Sequence, residues 1–534
     1  MEEKMVLKRK LKAVVLVLII VLVLAGCGKS GRTLTLEDVK FNETGLPITG
    51  EPTELTVLTM RWGDMGDSFT KNQWLIDLEK RTNIKIKWQV VSSSDWGEQK
   101  SILLASRKLP DIILGNMTFN DGDILNNIEY FRPLDDLIDK YMPNYKNALE
   151  QLPSLRSVST FPDGKIYSLA KNLPHRPQTR NHPIINKKWL DNLGLQVPGT
   201  INELTAVLRA FKERDANGNG NPNDEYPLSF NQSIHIDLLN PFGITDINES
   251  LMTINGGEPF FYPTSDQYRA AIQWVRELWT AGLIDPESFT QDFAMLSGKR
   301  QNASAPLVGM SFEWTHDAVF GKWSDEYSAI PPIAGPDGRR YAGGDRDGVF
   351  SVMRNEAIIT SFCSIPEAAA RWLDEFYTNE ASIQNFWGAI GTVISKNEDG
   401  TYTLNDPPAG TSADAWYWDQ SLRDFGPKFV EREFNDRIIL SNKAGDGLKM
   451  ETSKIADPYV MEQYPNVIFT SAETTELATI GTDISTYISQ MQAKWVTQGG
   501  ILGEWESYIN RLNQMGLQRF IKIKIDAYNR FKAQ

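Results

Sequence analysis

The sequence of 534 residues is poor in the groups that many enzymes use as nucleophiles or metal ligands. It contains two cysteines and four histidines. It has no HExxH pair, no Walker A loop, no G-x-S-x-G elbow and no C-x-x-C pair. These absences exclude a catalytic zinc site of that type, ATP hydrolysis by the chain itself and a disulfide framework. Glycoside hydrolysis by a pair of carboxylates stays an open function, because the required distance between the two groups depends on the fold and not on their separation in the sequence.

Long apolar runs are also scarce. The sustained run at residues 13–24 has 12 residues, whereas a helix that crosses a bilayer needs roughly 20. A cationic segment precedes this run and the small residues Ala25 and Gly26 follow it, an order typical of a secretory signal. We therefore predict that residues 1–26 are a signal peptide.

The two cysteines have different predicted roles. Residues 24–27 resemble the lipobox of bacterial lipoproteins, in which cleavage leaves a lipidated cysteine at the new N-terminus. We expect Cys27 to carry the lipid that anchors the protein on the extracytoplasmic face of the cell membrane. The alternative is an ordinary secretory signal that ends in a chance cysteine. Cys363 is expected to be a buried inert thiol rather than a nucleophile, because a catalytic thiol needs a positioned histidine.

Basic residues are fewer than acidic ones, with 55 Lys and Arg against 68 Asp and Glu. The formal net charge is -13, and removal of the signal, with a net charge of +3, leaves about -16. Such a surface repels nucleic acid and anionic lipid, so we expect no nucleic-acid partner. The composition, with 41% hydrophobic and 23% charged residues, is that of a globular protein. The length requires at least two domains.

Alternating strand and helix patterns predict an α/β fold. Residues 27–50 are polar without a sustained period and predict a flexible tether. Residues 55–59, 84–90 and 111–114 predict strands separated by helix-length segments, which implies a parallel sheet. Proline-rich segments near 172–182 and 331–344 indicate crossings between lobes. The predicted boundaries are 51–172 plus about 345–400 for the first lobe, and 173–344 plus about 401–534 for the second.

The residues that follow the predicted strands indicate a sugar site. In open α/β sheets, ligands bind beyond the carboxyl ends of the strands. Trp62 and Trp96 each lie beside an aspartate at such ends, and aromatic faces suit the apolar face of a sugar ring. The alternative is that both rings cap the sheet as packing residues. The further candidates are Trp314, Trp387 and Trp418 for stacking, and Asn116, Tyr167 and Arg346 for hydrogen bonds.

The loop at residues 215–225 has the spacing of oxygen ligands found in calcium loops. Oxygen-bearing side chains fall at its first, third and fifth positions, and Gly220 at the sixth permits a sharp turn. We predict a calcium ion that stabilises the loop rather than one that catalyses. The alternative is a solvated Asn/Gly turn. The predicted ligands are Asp215, Asn217, Asn219, Asn221 through its backbone carbonyl, Asp224 and Glu225.

Several segments spread over nearly the whole mature chain form a familiar combination. They are the signal ending in Cys27, residues 111–115, residues 189–194 followed by Pro198 and Thr200, the Asn/Gly loop running into 225–228, and residues 281–287. Together they resemble the family 1 extracellular solute-binding proteins of carbohydrate ABC importers, in particular the large oligosaccharide- and alginate-binding branch. The loop here has one residue more before its acids than the common form of that branch.

The resemblance implies a periplasmic-binding-protein-like fold of type II, with two α/β lobes and a cleft between them. Each lobe would hold a mostly parallel sheet flanked by helices. A monomeric binding protein would capture an oligosaccharide or sugar derivative, close about a hinge and deliver the sugar to membrane permease subunits, without acting as an enzyme. Two other functions stay open: a surface enzyme that cleaves polysaccharide, and a sensing or adhesion lipoprotein without a transporter.

Overall fold

The structure is a computed structural model that describes residues 34–61, 66–174, 176–231, 234–346, 351–408, 411, 413–440 and 445–533. Cys27 and Trp62, the predicted lipidation site and a predicted stacking residue, lie outside the described residues. Within these ranges, no helix combines the length and the apolar character that crossing a membrane would require.

The strands are given in chain order. They are β1 (Thr53–Arg61), β2 (Ile84–Ser92), β3 (Ile112–Leu114), β4 (Leu169–Asn172), β5 (His182–Asn186), β6 (Tyr226–Leu228), β7 (Met252–Asn255), β8 (Glu258–Phe261), β9 (Val308–Glu313), β10 (Tyr327–Ala329), β11 (Val352–Ile359), β12 (Ile394–Lys396), β13 (Tyr402–Leu404) and β14 (Ile438–Ile439).

The α-helices alternate with these strands and dominate the C-terminal part. They are α1 (Gln73–Thr82), α2 (Trp96–Ser106), α3 (Asp121–Asn126), α4 (Asp135–Tyr141), α5 (Pro143–Gln151), α6 (Pro153–Ser159), α7 (Lys187–Leu193), α8 (Ile201–Glu213), α9 (Asp266–Thr280), α10 (Phe293–Arg300), α11 (Pro366–Asp374), α12 (Asn379–Phe386), α13 (Ala413–Gln420), α14 (Arg432–Asn435), α15 (Gly445–Ser453), α16 (Ser471–Thr497), α17 (Ile501–Gln514) and α18 (Leu517–Lys532).

The first lobe is built on a sheet with the strand order β2-β1-β3-β11-β4. Strands β1, β2 and β3 run parallel, whereas β11 is antiparallel to both β3 and β4. The side chains of β1 are buried almost without interruption, as expected for a strand covered on both faces. The second lobe lies between β4 and β11 in the sequence, so the chain leaves the first sheet through β4 and returns through its neighbour β11.

The second lobe is built on a sheet with the order β10-β5-β9-β6. Only β6 and β9 are paired in parallel there; β5 is antiparallel to both of its neighbours. A mostly parallel sheet is therefore found in the first lobe but not in the second, which is mixed. Hydrophobic patterns locate strands but do not give their direction, so the sequence could not separate the two cases.

The helices of the second lobe follow from local sequence signals. Thr200 and Glu203 form the predicted capping box of α8: Thr200 Oγ1 accepts the Glu203 N–H at 3.2 Å, and Glu203 Oε2 accepts the Thr200 N–H at 3.1 Å. Helix α9 buries the predicted apolar face, including Tyr268 and Val275, against the long helix α16. These helices share one core with β6 and β9.

Two predicted boundaries differ from the packing. The tether was predicted to extend to residue 50, but Val39 and Ile48 are 3% and 0% exposed and belong to the first-lobe core. Residues from 401 onward were predicted in the second lobe, yet Leu422 and Phe429 also pack in the first-lobe core. Polar composition and helix signals carry no information on which distant surface a segment meets.

A buried acid in the first lobe makes stability depend on pH. Asp374 at the end of α11 is 4% exposed and accepts the N–H groups of Asn144 and Tyr145 at 3.2 and 2.9 Å. Burial raises the pKa of Asp374 to about 7 despite these bonds. A carboxyl with a higher pKa in the folded chain stays protonated there at pH values at which the unfolded chain ionises. The folded protein therefore loses stability relative to the unfolded chain as the pH rises from about 4 to about 7.

We expect the free energy of unfolding of the wild type to fall over this pH range by about 2–4 kcal/mol more than that of Asp374→Asn. Urea unfolding at several pH values measures the difference. The exposed Asp325→Asn variant serves as the control and should follow the wild type. Equal pH slopes for wild type and Asp374→Asn would contradict the expectation.

Candidate binding site at the lobe junction

A later segment of the chain covers the carboxyl ends of the first-lobe strands. The buried guanidinium of Arg61, at the end of β1, donates to the Ser421 carbonyl at 3.0 Å and to the Trp418 carbonyl. Phe425 packs over Gly115, which follows β3; a Cβ at Gly115 would lie 2.9 Å from its ring. The predicted crevice beyond these strands is therefore bounded by residues 418–425, which were predicted in the other lobe.

The predicted stacking residues on this side are buried. Trp96 is 5% exposed and its indole N–H donates to the Thr118 carbonyl at 2.7 Å. Trp387 is 0% exposed and donates to Asp446 Oδ2 at 2.8 Å, and Trp418 is 7% exposed beneath Arg61. In this conformation these rings pack inside the protein and offer no open face to a sugar. The packing alternative therefore describes Trp96 in this conformation.

The predicted hydrogen-bonding residues have different surroundings. Tyr167 is buried, and its hydroxyl donates to Asp163 Oδ2 at 2.8 Å. Asn116 is half-buried, with its amide nitrogen 3.8 Å from Met353 Sδ. Arg346 is exposed and pairs with Glu462 at 3.1 Å. Of these three, Asn116 and Arg346 keep accessible surface.

Trp314 is the predicted stacking residue that the structure places at the junction with part of its surface accessible. It directly follows β9 and is half-buried. The Arg176 guanidinium carbon lies 5.5 Å from its ring centroid and Lys449 Nζ lies 4.3 Å from it. Arg176 belongs to the connection from β4 to β5 and Lys449 to α15, so three separate segments meet at this ring.

A network of charged groups joins Trp314 to the first lobe. Arg176 Nη2 lies 2.6 Å from Asp424 Oδ1, and Arg423 Nη1 lies 2.9 Å from Asp446 Oδ2. Burial disfavours both charged carboxylates, but the neighbouring arginines hold the pKa values of Asp424 and Asp446 below the usual range. Both acids are therefore ionised at neutral pH and fix the arginines in place.

The network ends on an ion pair between the outgoing and returning strands. Lys171 Nζ on β4 lies 2.5 Å from Glu356 Oε1 on β11, and both side chains are 0% exposed. Lys171 also donates to the Asp424 carbonyl. Lys428 donates to two backbone carbonyls at 2.8 and 2.6 Å. Burial raises the pKa of Glu356, with Lys171 acting against it, and burial lowers the pKa of Lys428.

The side chains best suited to nucleophilic or base chemistry are enclosed. Cys363 is 2% exposed, and burial raises the pKa of its thiol to about 12, in line with the predicted inert thiol. His182 is 0% exposed, and burial together with the positive charge of Lys449 lowers its pKa to about 2. Both groups are neutral and shielded at physiological pH.

The predicted calcium loop is closed by hydrogen bonds to its own backbone. Asp215 accepts the N–H groups of Asn219 and Gly220 at 3.0 and 2.8 Å, and Gly220 has φ +90°, where glycine is favoured. Glu225 is 3% exposed and its Oε1 accepts the Ala216 N–H at 2.9 Å. Its Oε2 is buried without a hydrogen-bond partner among the described residues. A buried carboxylate oxygen of this kind suits a bound cation.

Amide groups complete the oxygen set of this loop. Asn217 and Asn219 donate their side-chain N–H groups to Asp224 at 3.0 and 2.8 Å, and their amide oxygens accept the backbone N–H groups of Asn219 and Asn221 at 2.9 and 2.7 Å. Within the described part of the chain, no group of three or more His, Cys, Asp or Glu is placed to hold a metal ion. The residues therefore fit a cation only through amide and backbone oxygens together with the acids, as in a calcium loop.

The sequence did not single out the charged residues of the junction. Arg176, Asp424, Asp446 and Lys449 lie in segments without a regular period, and each acquires a partner only when distant parts of the chain meet. One available signal was the adjacent opposite charges Arg423 and Asp424 among the aromatic residues of 416–429.

The strand order of the first sheet, with a second α/β lobe inserted between β4 and β11, defines a two-lobe solute-binding fold of type II. Residues 63–383 match the bacterial extracellular solute-binding protein family, and the chain belongs to this family. The predicted resemblance to family 1 solute-binding proteins is confirmed.

Individual relatives extend this result over the whole chain. The fructooligosaccharide ABC transporter substrate-binding protein FusA of Streptococcus pneumoniae is 31% identical over 544 aligned positions, which cover 98% of each chain. Its structure with kestose has a TM-score of 0.79 at 29% identity, and an EF-hand mutant with fructo-nystose has a TM-score of 0.78 at 28%. Both cover 90% of this chain and 99% of theirs. The alginate-binding protein AlgQ2 shares the fold, with a TM-score of 0.69 at 21% identity and the same coverage.

The buried ion pair offers a test of what holds β4 and β11 together in the first-lobe sheet. Lys171→Met leaves the Glu356 carboxylate without its cation in a site closed to water, so we expect a loss of about 3–5 kcal/mol in the free energy of unfolding. The double variant Lys171→Met/Glu356→Leu removes both charges and should recover most of this loss. Urea unfolding measures both.

Lys40→Met is the matched control, because it breaks an exposed pair with Glu51 and should change the free energy of unfolding far less than Lys171→Met does. A Lys171→Met protein as stable as the wild type, or a double variant less stable than the single one, would show that the pair does not act as described.

Proposed function

We propose that the protein is the substrate-binding lipoprotein of an ABC importer, which captures an oligosaccharide at the lobe junction and delivers it to the permease. The observation that carries this proposal is the match to FusA over 98% of both chains. The two-lobe architecture supports it, because ligands that contact both lobes can hold such proteins closed.

Hinge closure provides the mechanism. The lobes are connected by the segments that leave β4, that enter β11 and that precede α16, and Trp314, Arg176 and Lys449 lie where these segments approach one another. A sugar in contact with both lobes shifts the population toward the closed form by its higher affinity for that form. The permease then recognises the closed form, and no covalent change of the sugar is required.

A neutral oligosaccharide is the ligand class that we favour. Arg176 and Arg423 each lie on a carboxylate, Asp424 and Asp446, so a uronate would have to displace an existing partner. FusA, whose name and solved complexes refer to fructooligosaccharides, supports the same class. Aromatic surface at Trp314 suits a sugar ring.

The lipid anchor on Cys27 and a monomeric state are further parts of the proposal. The lipobox-like residues 24–27 support the anchor, and the family, which is extracellular, supports the extracytoplasmic side of the membrane. An acidic mature chain is soluble next to the anionic membrane surface.

The loop at residues 215–225 is proposed to hold a structural calcium ion. The proposed ligands are Asp215, Asn217, Asn219, Asn221 through its backbone carbonyl, Asp224 and Glu225. The Oε2 atom of Glu225 is buried without a partner among the described residues. The EF-hand named for a FusA structure supports a loop of this type in a relative. When bound, calcium supplies positive charge that neutralises the clustered acids.

Binding experiments test the central proposal. The mature chain without its signal should bind kestose and nystose in isothermal titration calorimetry, and should release no reducing sugar from them. Trp314→Ala should weaken binding roughly tenfold, about 1.4 kcal/mol, through the loss of aromatic contact. Trp323→Ala, at another half-buried tryptophan of the second lobe, is the control. Release of reducing sugar would favour the enzyme alternative, and no binding of any neutral or acidic oligosaccharide would exclude the proposal.

The calcium proposal predicts a gain in stability. At a free calcium concentration about 100 times the dissociation constant, the free energy of unfolding should rise by about 2.7 kcal/mol, because the ion binds only the folded loop. Asp215→Ala should abolish the gain, whereas Asp399→Ala, in an exposed turn closed by a similar Asp side chain, should keep it. Thermal unfolding with calcium and with a chelator provides the measurement. An equal gain in wild type and Asp215→Ala would place the ion elsewhere.

A further inference from the structure

The strand through which the chain returns to the first lobe contains an irregular stretch. The pairing of β11 with β4 shifts register between Met353 and Ala357, which indicates a β-bulge at residues 354–356. The three side chains of this stretch are polar and buried: Arg354 and Asn355 are 5% exposed and Glu356 is 0% exposed. Buried polar groups require hydrogen-bond partners. Glu356 is paired with Lys171 inside the sheet, so the partners of the other two residues remain to be identified.

The guanidinium of Arg354 holds the segment that leads into α16. It donates to the backbone carbonyls of Asn466 and Val467 at 2.6 and 3.2 Å, and to the side-chain oxygen of Asn466 at 3.2 Å. This segment touches both lobes, because Val467 belongs to the core of the second lobe and Ile468 packs against a buried cluster of the first sheet. Arg354 therefore fixes the chain at a point where the two lobes meet.

The same guanidinium is paired with a carboxylate of the first lobe. Arg354 Nε donates to Asp121 Oδ1 at 2.8 Å, and its Nη2 donates to Asp121 Oδ2. Burial acts to raise the pKa of Asp121, but the charge and hydrogen bonds of Arg354 hold that pKa below the usual range. The carboxylate is therefore ionised at neutral pH. A pair with two parallel hydrogen bonds fixes the orientation of the guanidinium as well as its position.

Asn355 connects this pair to the strand through which the chain leaves the first lobe. Its φ is +63°, in the left-handed region, where asparagine is found more often than most other non-glycine residues. Its Oδ1 accepts the hydroxyl of Ser168, the residue before β4, at 2.6 Å, and its Nδ2 donates to Asp121 Oδ1 at 2.8 Å. Asp121, Arg354 and Asn355 together therefore join β4, β11 and the segment before α16.

We propose that Arg354 is a positioning residue for sugar binding, which with Asp121 and Asn355 limits how far the two lobes move apart in the unliganded protein. The inference rests on the proposed function and makes it more specific, because it assigns the restraint on hinge motion to named residues. A protein that samples fewer open arrangements loses less conformational entropy when a sugar holds the lobes together. Arg354 is buried and acts through the chain segments that it holds.

Pulsed electron paramagnetic resonance between spin labels on the two lobes tests the restraint. Lys85→Cys on β2 and Arg209→Cys on α8 place the labels at exposed positions. In a chain of residues 28–534, the remaining cysteine is the buried Cys363. Unliganded Arg354→Lys should show a distance distribution at least about 1.5-fold wider than the wild type, because one ammonium cannot replace the fork of the guanidinium. With saturating kestose, the two distributions should coincide.

Titration calorimetry with kestose measures the effect on binding. Arg354→Lys should weaken kestose binding about fivefold, because a smaller fraction of the unliganded protein is ready to close. Arg276→Lys is the matched control. Arg276 also donates to two backbone carbonyls, those of Val496 and Thr497, but these contacts join α9 to α16 within the second lobe. This variant should keep the wild-type affinity and the wild-type width of the distance distribution.

A second pair of variants tests the restraint without changing a charge. Asn355→Gly tolerates the positive φ and removes the amide that bonds Ser168 and Asp121, so it should widen the unliganded distribution and weaken kestose binding about twofold. Asn83→Gly is the control, because Asn83 has φ +58° at the end of α1, within the first lobe. Circular dichroism checks that each variant is folded.

The possible outcomes separate the two proposals. If the wild type binds kestose but Arg354→Lys and Asn355→Gly match their controls in width and affinity, the positioning role is overturned and the proposed function is not. A changed distribution in the kestose-bound state would also overturn the role, since it would place the effect in the closed form. If the wild type binds no sugar of any class, the proposed function and the role in sugar binding are both overturned.

Discussion

The architecture depends on one buried contact, the ion pair between Lys171 and Glu356. These residues lie on β4 and β11, the neighbouring strands through which the chain leaves the first lobe and returns to it. Removing two charges from water costs several kcal/mol per ion, and this cost is offset only when both partners are in place. The pair can therefore form only when β4 and β11, the strands that flank the inserted lobe, are correctly paired.

The same ion pair helps to position the residues of the lobe junction through a series of contacts. Lys171 donates to the backbone of Asp424, the carboxylate of Asp424 holds Arg176, and Arg176 lies over Trp314. Each link joins a different segment of the chain. A ligand at Trp314 would therefore meet side chains whose positions are set by the first-sheet strands, although Trp314 itself follows β9 of the second lobe. This arrangement couples the two lobes through charged and aromatic contacts.

Features that depend on neighbouring residues were predictable from the sequence, whereas the packing of distant segments against one another was not. The Thr200 capping box, the strands β1, β2 and β3 of the first sheet and the loop that begins at Asp215 were all predicted, because each depends on residues close together in the chain. Trp96 was predicted as a stacking residue because it follows a strand. A strand-end position shows that a residue lies near the end of the sheet, but not that distant segments will pack on it: Trp96 belongs to one buried cluster with Trp418 and Phe425.

The position of the proposed calcium loop relative to the strands explains why an ion there would stabilise the second lobe rather than touch a sugar bound at Trp314. Glu225 immediately precedes β6, so the loop lies at the amino end of that strand. Strand β9 runs parallel to β6 and delivers Trp314 at its carboxyl end. The two sites therefore lie at opposite ends of the strands of one sheet. An ion bound at the loop can stiffen the entry to β6 and the end of α8, and can influence sugar binding only through the rigidity of the lobe.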